Sequence, residues 1–484
     1  MSLVAWAAIS SAIVLPYVRD HWQDEVQIIE IARGGIVDKA EPWSMLATGD
    51  PKIDSQSWAI YYVGGWLFER MYQCMGHLGP RILTMFAYFI LSALFGVYLF
   101  KKTGDKLIAS LLAVLLWSFP PLQLCARGVR ADILSMLFCT GGMLVLQVKV
   151  SSLTKKCLVF SLAGTLYALS ILTWISAILL GPVVLWEMVE QLEFKRTPPK
   201  SWALPFLCCV GAGIVTGVLL LLPFIFHFVQ TVEVSKLVWQ INTFYAEKEG
   251  RLLWKEFALC MLQPPGLYVL GFCLLASSRR FLILFFGFAA CAVLCMMTKV
   301  YSTRIVYFLP YVLIGVGVGI QTIRRQGLRR LIMWIVGCMT LLAYGRTYIC
   351  RNLTDYRVRH HRDYAALRPV IEQKLGRNIS VYADTFQLYY LGRELNWKQY
   401  HYLVQWVLPP TNLLARVDAC ISCAEGEKNG FAQHLADKGF KFAFCIDQPI
   451  PKPDWLTRHI PTLGGDGAFL GPYNVYRRTY DENP

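Results

Sequence analysis

The chain has 484 residues, 55% of them hydrophobic and 14% aromatic, with a mean hydropathy of +0.43. Only 16% are charged, against about a quarter in soluble domains, which excludes an ordinary water-soluble globular protein and implies recurring apolar segments of about 17–25 residues. The net charge of +15 does not mark a nucleic-acid binder, because from Arg351 onward there are 17 Lys/Arg against 14 Asp/Glu, and the remaining +12 sits in short clusters at the ends of apolar segments. That distribution is a topology signal.

In chain order, "MSLVAWAAISSAIVLPYV" lacks a basic leader and a clear cleavage site, so it reads as a retained first span. "RDHWQDEVQIIEIARGG" follows, with Asp24 and Glu25 side by side. Alone, the pair reads as a wet loop. The apolar spacing of "VQIIEIARGG" instead suggests a helix lying along the membrane surface, which would hold the carboxylates as a general base or as ligands of a divalent cation. Further spans are expected at 82–100, 105–123, 132–148, 157–173, 175–190, 203–228, 264–277, 281–297, 305–321 and 331–349, about eleven with the first at 2–17. Lys101, Lys102 and Lys106, then Lys149, Lys155 and Lys156, then Lys195, Arg196 and Lys200, then Arg279 and Arg280, then Arg324, Arg325, Arg329 and Arg330 follow every even-numbered span. The positive-inside bias therefore places the N-terminus in the cytoplasm and everything after the last span on the opposite face.

The same alternation gathers the first long loop (18–81), "CARGVRAD" (125–132), the 230–262 loop and "TKVYSTR" (298–304) on the outer face. Arg127 and Arg130 there run against the charge bias, and an anionic partner such as a phosphate is the simplest reason, with lipid headgroups the bland one. Asp132 reads as the N-cap of the fourth span. Lys299 and Arg304 stand at the entrance of the tenth, with Pro310 expected to kink it. His21, His77, His227, His360 and His361 read as surface histidines first and metal ligands second.

Residues 1–350 thus read as a transmembrane domain and 351–484 as an extracytoplasmic α/β domain. In the latter "NISVYAD", "VDACISCAE", "FKFAFCID" and "YNVYRR" read as strands, with "FQLYYLGRE" and "GFAQHLADKG" as helical segments. "CISC" falls in a strand, which favours buried thiols over a redox motif or half a zinc site, and leaves a disulfide from Cys420 or Cys423 to Cys445 open. That domain shows no phosphate loop, nucleophile elbow or metal-helix motif.

The order of these features resembles the GT-C glycosyltransferases, in the branch of the protein O-mannosyltransferases and the lipid A aminoarabinose transferase. The resemblance runs through Asp24–Glu25 after the first span, "YYVGGWLFERMYQCMGHLGPRIL" ending in Arg81, Arg130 with Asp132, Arg304 with Tyr307 and Pro310, and Val381 to Arg393 in the last domain. It departs in the first loop, where "GDPKIDSQSW" offers only Lys52 in place of a Lys- or His-Pro-Pro element. The resemblance implies transfer of a sugar from a polyprenyl-phosphate donor to a lipid, polysaccharide or protein acceptor on the outer face, most simply of a bacterial inner membrane. Asp24 would be the base and Glu25 would position the acceptor or bind a metal. Arg127, Arg130, Lys299 and Arg304 would hold the donor phosphate, and Asp132 would contact acceptor or metal. The rival class is a transporter or flippase of glycolipid or anionic lipid, for which charges at the bilayer midplane and inverted repeats would be expected; neither is visible. A glycolipid-binding member without turnover is a third reading.

Overall fold

The computed structural model describes residues 2–17, 29, 62–192, 199–222, 267–297, 304–357, 359–383, 388–400, 408–409, 411–423, 430–446 and 472–479. The chain forms two compact units, one of Met1–Ser57, Tyr72–Leu78 and Cys350–Pro484, the other of Trp58–Met71 and Gly79–Ile349. The helices run α1 (Ser2–Val14), α2 (Tyr62–Met75), α3 (Gly79–Thr103), α4 (Lys106–Ser118), α5 (Pro120–Arg127), α6 (Asp132–Leu146), α7 (Leu153–Thr173), α8 (Gly181–Leu192), α9 (Pro199–Leu221), α10 (Leu267–Ala276), α11 (Leu282–Met297), α12 (Leu309–Thr322), α13 (Gln326–Tyr344) and α14 (Asn352–Arg357). Among the described residues six helical segments are long and apolar enough to cross a membrane, or up to eight if each of two bent pairs is one span. Residues 62–78, expected in the first outer loop, are helical instead. Their charged Glu69 and Arg70 interrupt the apolar run that a hydropathy reading needs, without interrupting the helix.

The larger unit is built round α12, which is buried from Leu309 to Ile320. "GVGVG" makes this possible. A Cβ on Gly315 would stand 2.9 Å from the Gly271 carbonyl of α10, and one on Gly317 would stand 3.1 Å from Leu112 of α4. Small residues thus let α12 lie against neighbours on opposite sides, as apolar helices without a hydrophobic drive between them require. The pair α7 and α9 uses the same device, since a Cβ on Gly164 would fall 1.9 Å from the Cys209 carbonyl. One buried carboxylate of this unit gathers several partners. Lys102 Nζ meets Glu187 Oε2 at 2.8 Å, and Tyr98 and Gln191 donate to the same carboxylate, each at 2.8 Å.

The sequence reading carried one span straight through 105–123, but the chain bends by 54° between α4 and α5. Pro120 and Pro121 lack the N–H groups that would bind Leu116 and Trp117. Those freed carbonyls are met by hydroxyls. Tyr88 donates to Leu116 O at 3.0 Å and to Trp117 O, Tyr348 donates to Trp117 O at 2.6 Å, and Thr347 donates to Ser118 O at 2.9 Å. Thr347 and Tyr348 lie in a π-helical turn, Gly345–Arg351. The bend is therefore held in place by specific bonds.

The smaller unit carries a mixed sheet of β1 (Ser380–Ala383), β2 (Lys398–Tyr400), β3 (Ala419–Cys423), β4 (Phe440–Ile446) and β5 (Tyr473–Arg478), in the order β2-β1-β3-β5-β4. β1 pairs in parallel with β2 and β3, while β5 runs antiparallel to β3 and β4. Alternation sorts the side chains into two cores. Val381, Ala419, Ile421 and Val475 pack with Leu367, Ile371 and Leu391 on one face. Tyr382, Cys420 and Tyr476 pack with Leu414, Phe431 and Leu435 on the other. Helices on both faces make it an α/β layer structure. In the same unit α1 packs on α14, where Asn352 Nδ2 donates to Ser10 Oγ at 2.8 Å.

Candidate functional site

The loop "CARGVRAD" is a tight, buried turn joining α5 to α6. Gly128 N–H donates to Leu124 O at 2.9 Å and Arg130 N–H to Cys125 O at 3.0 Å. Between them Val129 sits wholly buried at φ 52°. A β-branched residue in the left-handed region costs about 1–3 kcal/mol and persists only where its surroundings impose it. The turn presents Arg127 and Arg130, respectively 1% and 4% exposed, to the interior. The sequence had placed both on an outer loop; the loop exists, but its arginines are inside.

Each guanidinium is held. Gln123, with its amide oxygen turned toward Arg127, accepts from Nε at 2.7 Å and from Nη2 at 2.9 Å. Arg130 Nε donates to Asp132 Oδ2 at 2.8 Å, and its guanidinium lies 5.4 Å from the centre of the Trp174 ring. Asp132 is not the cap of α6. The cap position belongs to Ala131, which makes no side-chain cap bond. In a buried site a bond between two opposite full charges outweighs one from the carboxylate to an uncharged backbone N–H, and Asp132 still benefits from the helix N-terminus.

Two further segments close on this turn. Gly64 of α2 sits where a Cβ would lie 3.3 Å from both Ala131 Cβ and Thr173 O. The turn Arg304–Phe308 packs on α5 and on the turn Ile175–Leu180, and Tyr268 pins it by donating to Ile305 O at 3.0 Å. Tyr307 from that turn is fully buried, its hydroxyl beside Asp132 and Ser135. Tyr307 Oη and Asp132 Oδ1 make no hydrogen bond of ideal geometry among the described residues, but the hydroxyl stands within reach of both Asp132 and Ser135. Pro310 does not kink α12. It stands in the first turn, where its missing N–H costs nothing.

Of the residues singled out from sequence, the structure brings Arg127, Arg130 and Asp132 together, with the half-buried Arg304 at the head of the adjoining turn. Asp24, Glu25 and Lys299 lie outside the described residues. Among the described residues no three His, Cys, Asp or Glu side chains converge on a metal position. Gln123, Ser135 and Trp174 were missed. The legible signal for the first was "FPPLQLCARG", where a double proline and a glutamine inside an apolar run announce a broken helix.

A polytopic helical bundle with a broken helix and a buried arginine turn, joined to a small α/β unit, defines the class of fold. No family model and no curated protein matches the chain. Among solved structures it is similar to ArnT from Cupriavidus metallidurans bound to undecaprenyl phosphate, with 14% identity, a TM-score of 0.53, and coverage of 99% of this chain and 98% of that one. It is also similar to the apo state of the same protein, with 15% identity, a TM-score of 0.54, and coverage of 98% and 96%. The chain therefore has the ArnT fold, a GT-C fold, along nearly its whole length.

Proposed function

We propose that the protein is an integral-membrane glycosyltransferase that moves a hexosyl or pentosyl group from a polyprenyl-phosphate donor to a lipid, polysaccharide or protein acceptor on the extracytoplasmic face. The observation that carries this reading is the buried arginine turn, Arg127 with Arg130, in a fold shared with a protein crystallised with undecaprenyl phosphate. In the reaction an acceptor oxygen attacks the anomeric carbon, and the bond from that carbon to the lipid phosphate breaks. The electron pair leaves with the phosphate, and the configuration inverts. Arg127, Arg130, Arg304 and Lys299 neutralise the phosphate, and burial makes such fixed charges far stronger than in water. Gln123 and Asp132 hold the first two in place beforehand. Asp24 takes the acceptor proton, while Glu25 positions the acceptor or, with Asp24, holds a divalent metal ion.

The topology follows the charge pattern, with a cytoplasmic N-terminus, an extracytoplasmic C-terminal domain and a bacterial inner membrane as host. A total of eleven spans is supported if α1 and α6 also cross and if α10 and α11, bent by 110°, form a hairpin. The test is binding and transfer of a radiolabelled polyprenyl-phosphate sugar in nanodiscs. Asp24→Asn is expected to keep binding and abolish transfer, while Arg127→Ala and Arg304→Ala lose binding. A wild type that binds no such donor ends the transferase reading; one that binds it and moves it across a vesicle membrane without transfer supports the flippase.

A further inference from the structure

Positive charge concentrates at the end of the helical unit where α3 turns into α4 and α12 into α13. The two turns are tied side by side. Asp105 caps α4 through Leu107 N–H at 3.0 Å and Ile108 N–H at 3.2 Å, and its other oxygen takes Arg329 Nη2 from α13 at 3.3 Å. Gln321 at the end of α12 donates to Thr103 O. The tie gathers Lys101, Lys106, Arg324, Arg325 and Arg330, all exposed, and none of them pairs with a carboxylate among the described residues. The acids nearby are engaged: Asp105 as above, Glu187 by Lys102 and Glu190 by Arg280. One turn further along α13 stand Leu328, Leu331 and Trp334, exposed by 46%, 56% and 75%.

A rule that places basic residues in cytoplasmic loops explains why each loop is basic. It does not explain why two loops far apart in sequence are bonded into one cationic patch bordered by an apolar surface. Cations above exposed leucines and an interfacial tryptophan match a molecule with an anionic head and hydrocarbon tails. We infer that this end of the helical unit binds the phosphate headgroup of an anionic phospholipid, whose chains run along Leu328, Leu331 and Trp334. The site is independent of the proposed transferase chemistry, since no residue of the arginine turn takes part.

The experiment uses the full chain in nanodiscs of phosphatidylcholine containing one fifth phosphatidylglycerol, with lipids retained on gentle release counted by native mass spectrometry. Wild type is expected to retain phosphatidylglycerol well above its bulk share. The Arg324→Gln/Arg325→Gln/Arg330→Gln variant should lose that preference, by about fivefold per cation and so on the order of a hundredfold in affinity. The corresponding triple lysine variant keeps the charges and should keep the preference. If the glutamine variant does not insert, wild type in about 1 M salt replaces it, because the screening length there falls to about 3 Å, which should erase the preference. Retention at bulk share by wild type, or equal retention by wild type and the glutamine variant, overturns the inference. So does full competition by soluble glycerol phosphate, which would make the patch a site for free anions.

Discussion

Replacing Asp132 by Asn removes the counter-charge of a guanidinium that is only 4% exposed. Arg130 Nε and Asp132 Oδ2 stand 2.8 Å apart, with side-chain exposures of 5% and 1%. Two unit charges at this range attract by about 6 kcal/mol even at an effective dielectric near 20. Removing one partner of a buried pair costs about 3–5 kcal/mol, because the other charge stays behind without compensation. Asn keeps an oxygen for the Nε–H but no charge, so about 3 kcal/mol is expected, and Asp132→Ala should approach the upper end. The double variant Arg130→Met/Asp132→Asn leaves no stranded charge and keeps an apolar stem against Trp174, so it should return to within about 1 kcal/mol of wild type. Its coupling energy would then be at least about 2 kcal/mol, well above the roughly 0.5 kcal/mol scatter of independent sites. Reversible unfolding in mixed micelles reads the stability, and retention of radiolabelled donor reads the function. The double variant should regain stability and still fail to hold the donor. If Asp132→Asn, Arg130→Met and the double variant all unfold within about 0.5 kcal/mol of wild type, with additive effects, the pair is solvated and the turn is not a dry phosphate site.

The bend between α4 and α5 offers a second cycle. Tyr88→Phe and Tyr348→Phe should each cost about 0.5–1.5 kcal/mol, since the other hydroxyl still reaches Trp117 O, and the double variant should cost more than their sum because a buried carbonyl is then orphaned. Gly271→Ala puts a Cβ 2.5 Å from Val312 Cγ1 and 2.8 Å from its Cα, which should destabilise by about 1–3 kcal/mol. Gly337→Ala, with nothing within 4 Å, should gain about 0.5–1 kcal/mol from helix propensity; thermal unfolding of both in one detergent checks the contrast. Burial in the sheet pushes the Cys420 thiol up. A thiol with a raised folded pKa contributes stability below its unfolded value of about 8.5, which is lost as pH rises past it. Cys420 should therefore resist maleimide at pH 8 until the domain is unfolded, and Cys420→Ser should flatten the loss of stability above pH 8.5; rapid labelling of the folded domain would refute this.

Much of the smaller unit was legible because its signals are local. Val381, Ala419, Ile421 and Val475 alternate with residues of the opposite face, and that period of two is written in the chain. β2 was not legible. "KQY" carries no pattern of its own, and Lys398–Tyr400 becomes a strand only through its register with Ser380–Tyr382. In the larger unit the double proline was visible, yet nothing local says that Tyr88 and two residues more than 220 positions downstream supply the missing donors.

The sequence by itself determined that the chain enters a membrane, where most apolar helices lie, and that Arg127, Arg130 and Asp132 share one short connection. Apolar length and charge placement carry these facts because the cost of taking a residue out of water depends mainly on that residue. Only the tertiary structure decided that the connection is buried, that Asp132 serves Arg130 instead of capping a helix, and that the turn at Arg304–Phe308 comes to lie against α5. Those outcomes depend on pairs of groups drawn together from distant elements, Trp174, Gln123, Tyr307 and a left-handed Val129 among them. A pair energy falls off over a few ångströms, and separation along the chain does not report separation in space.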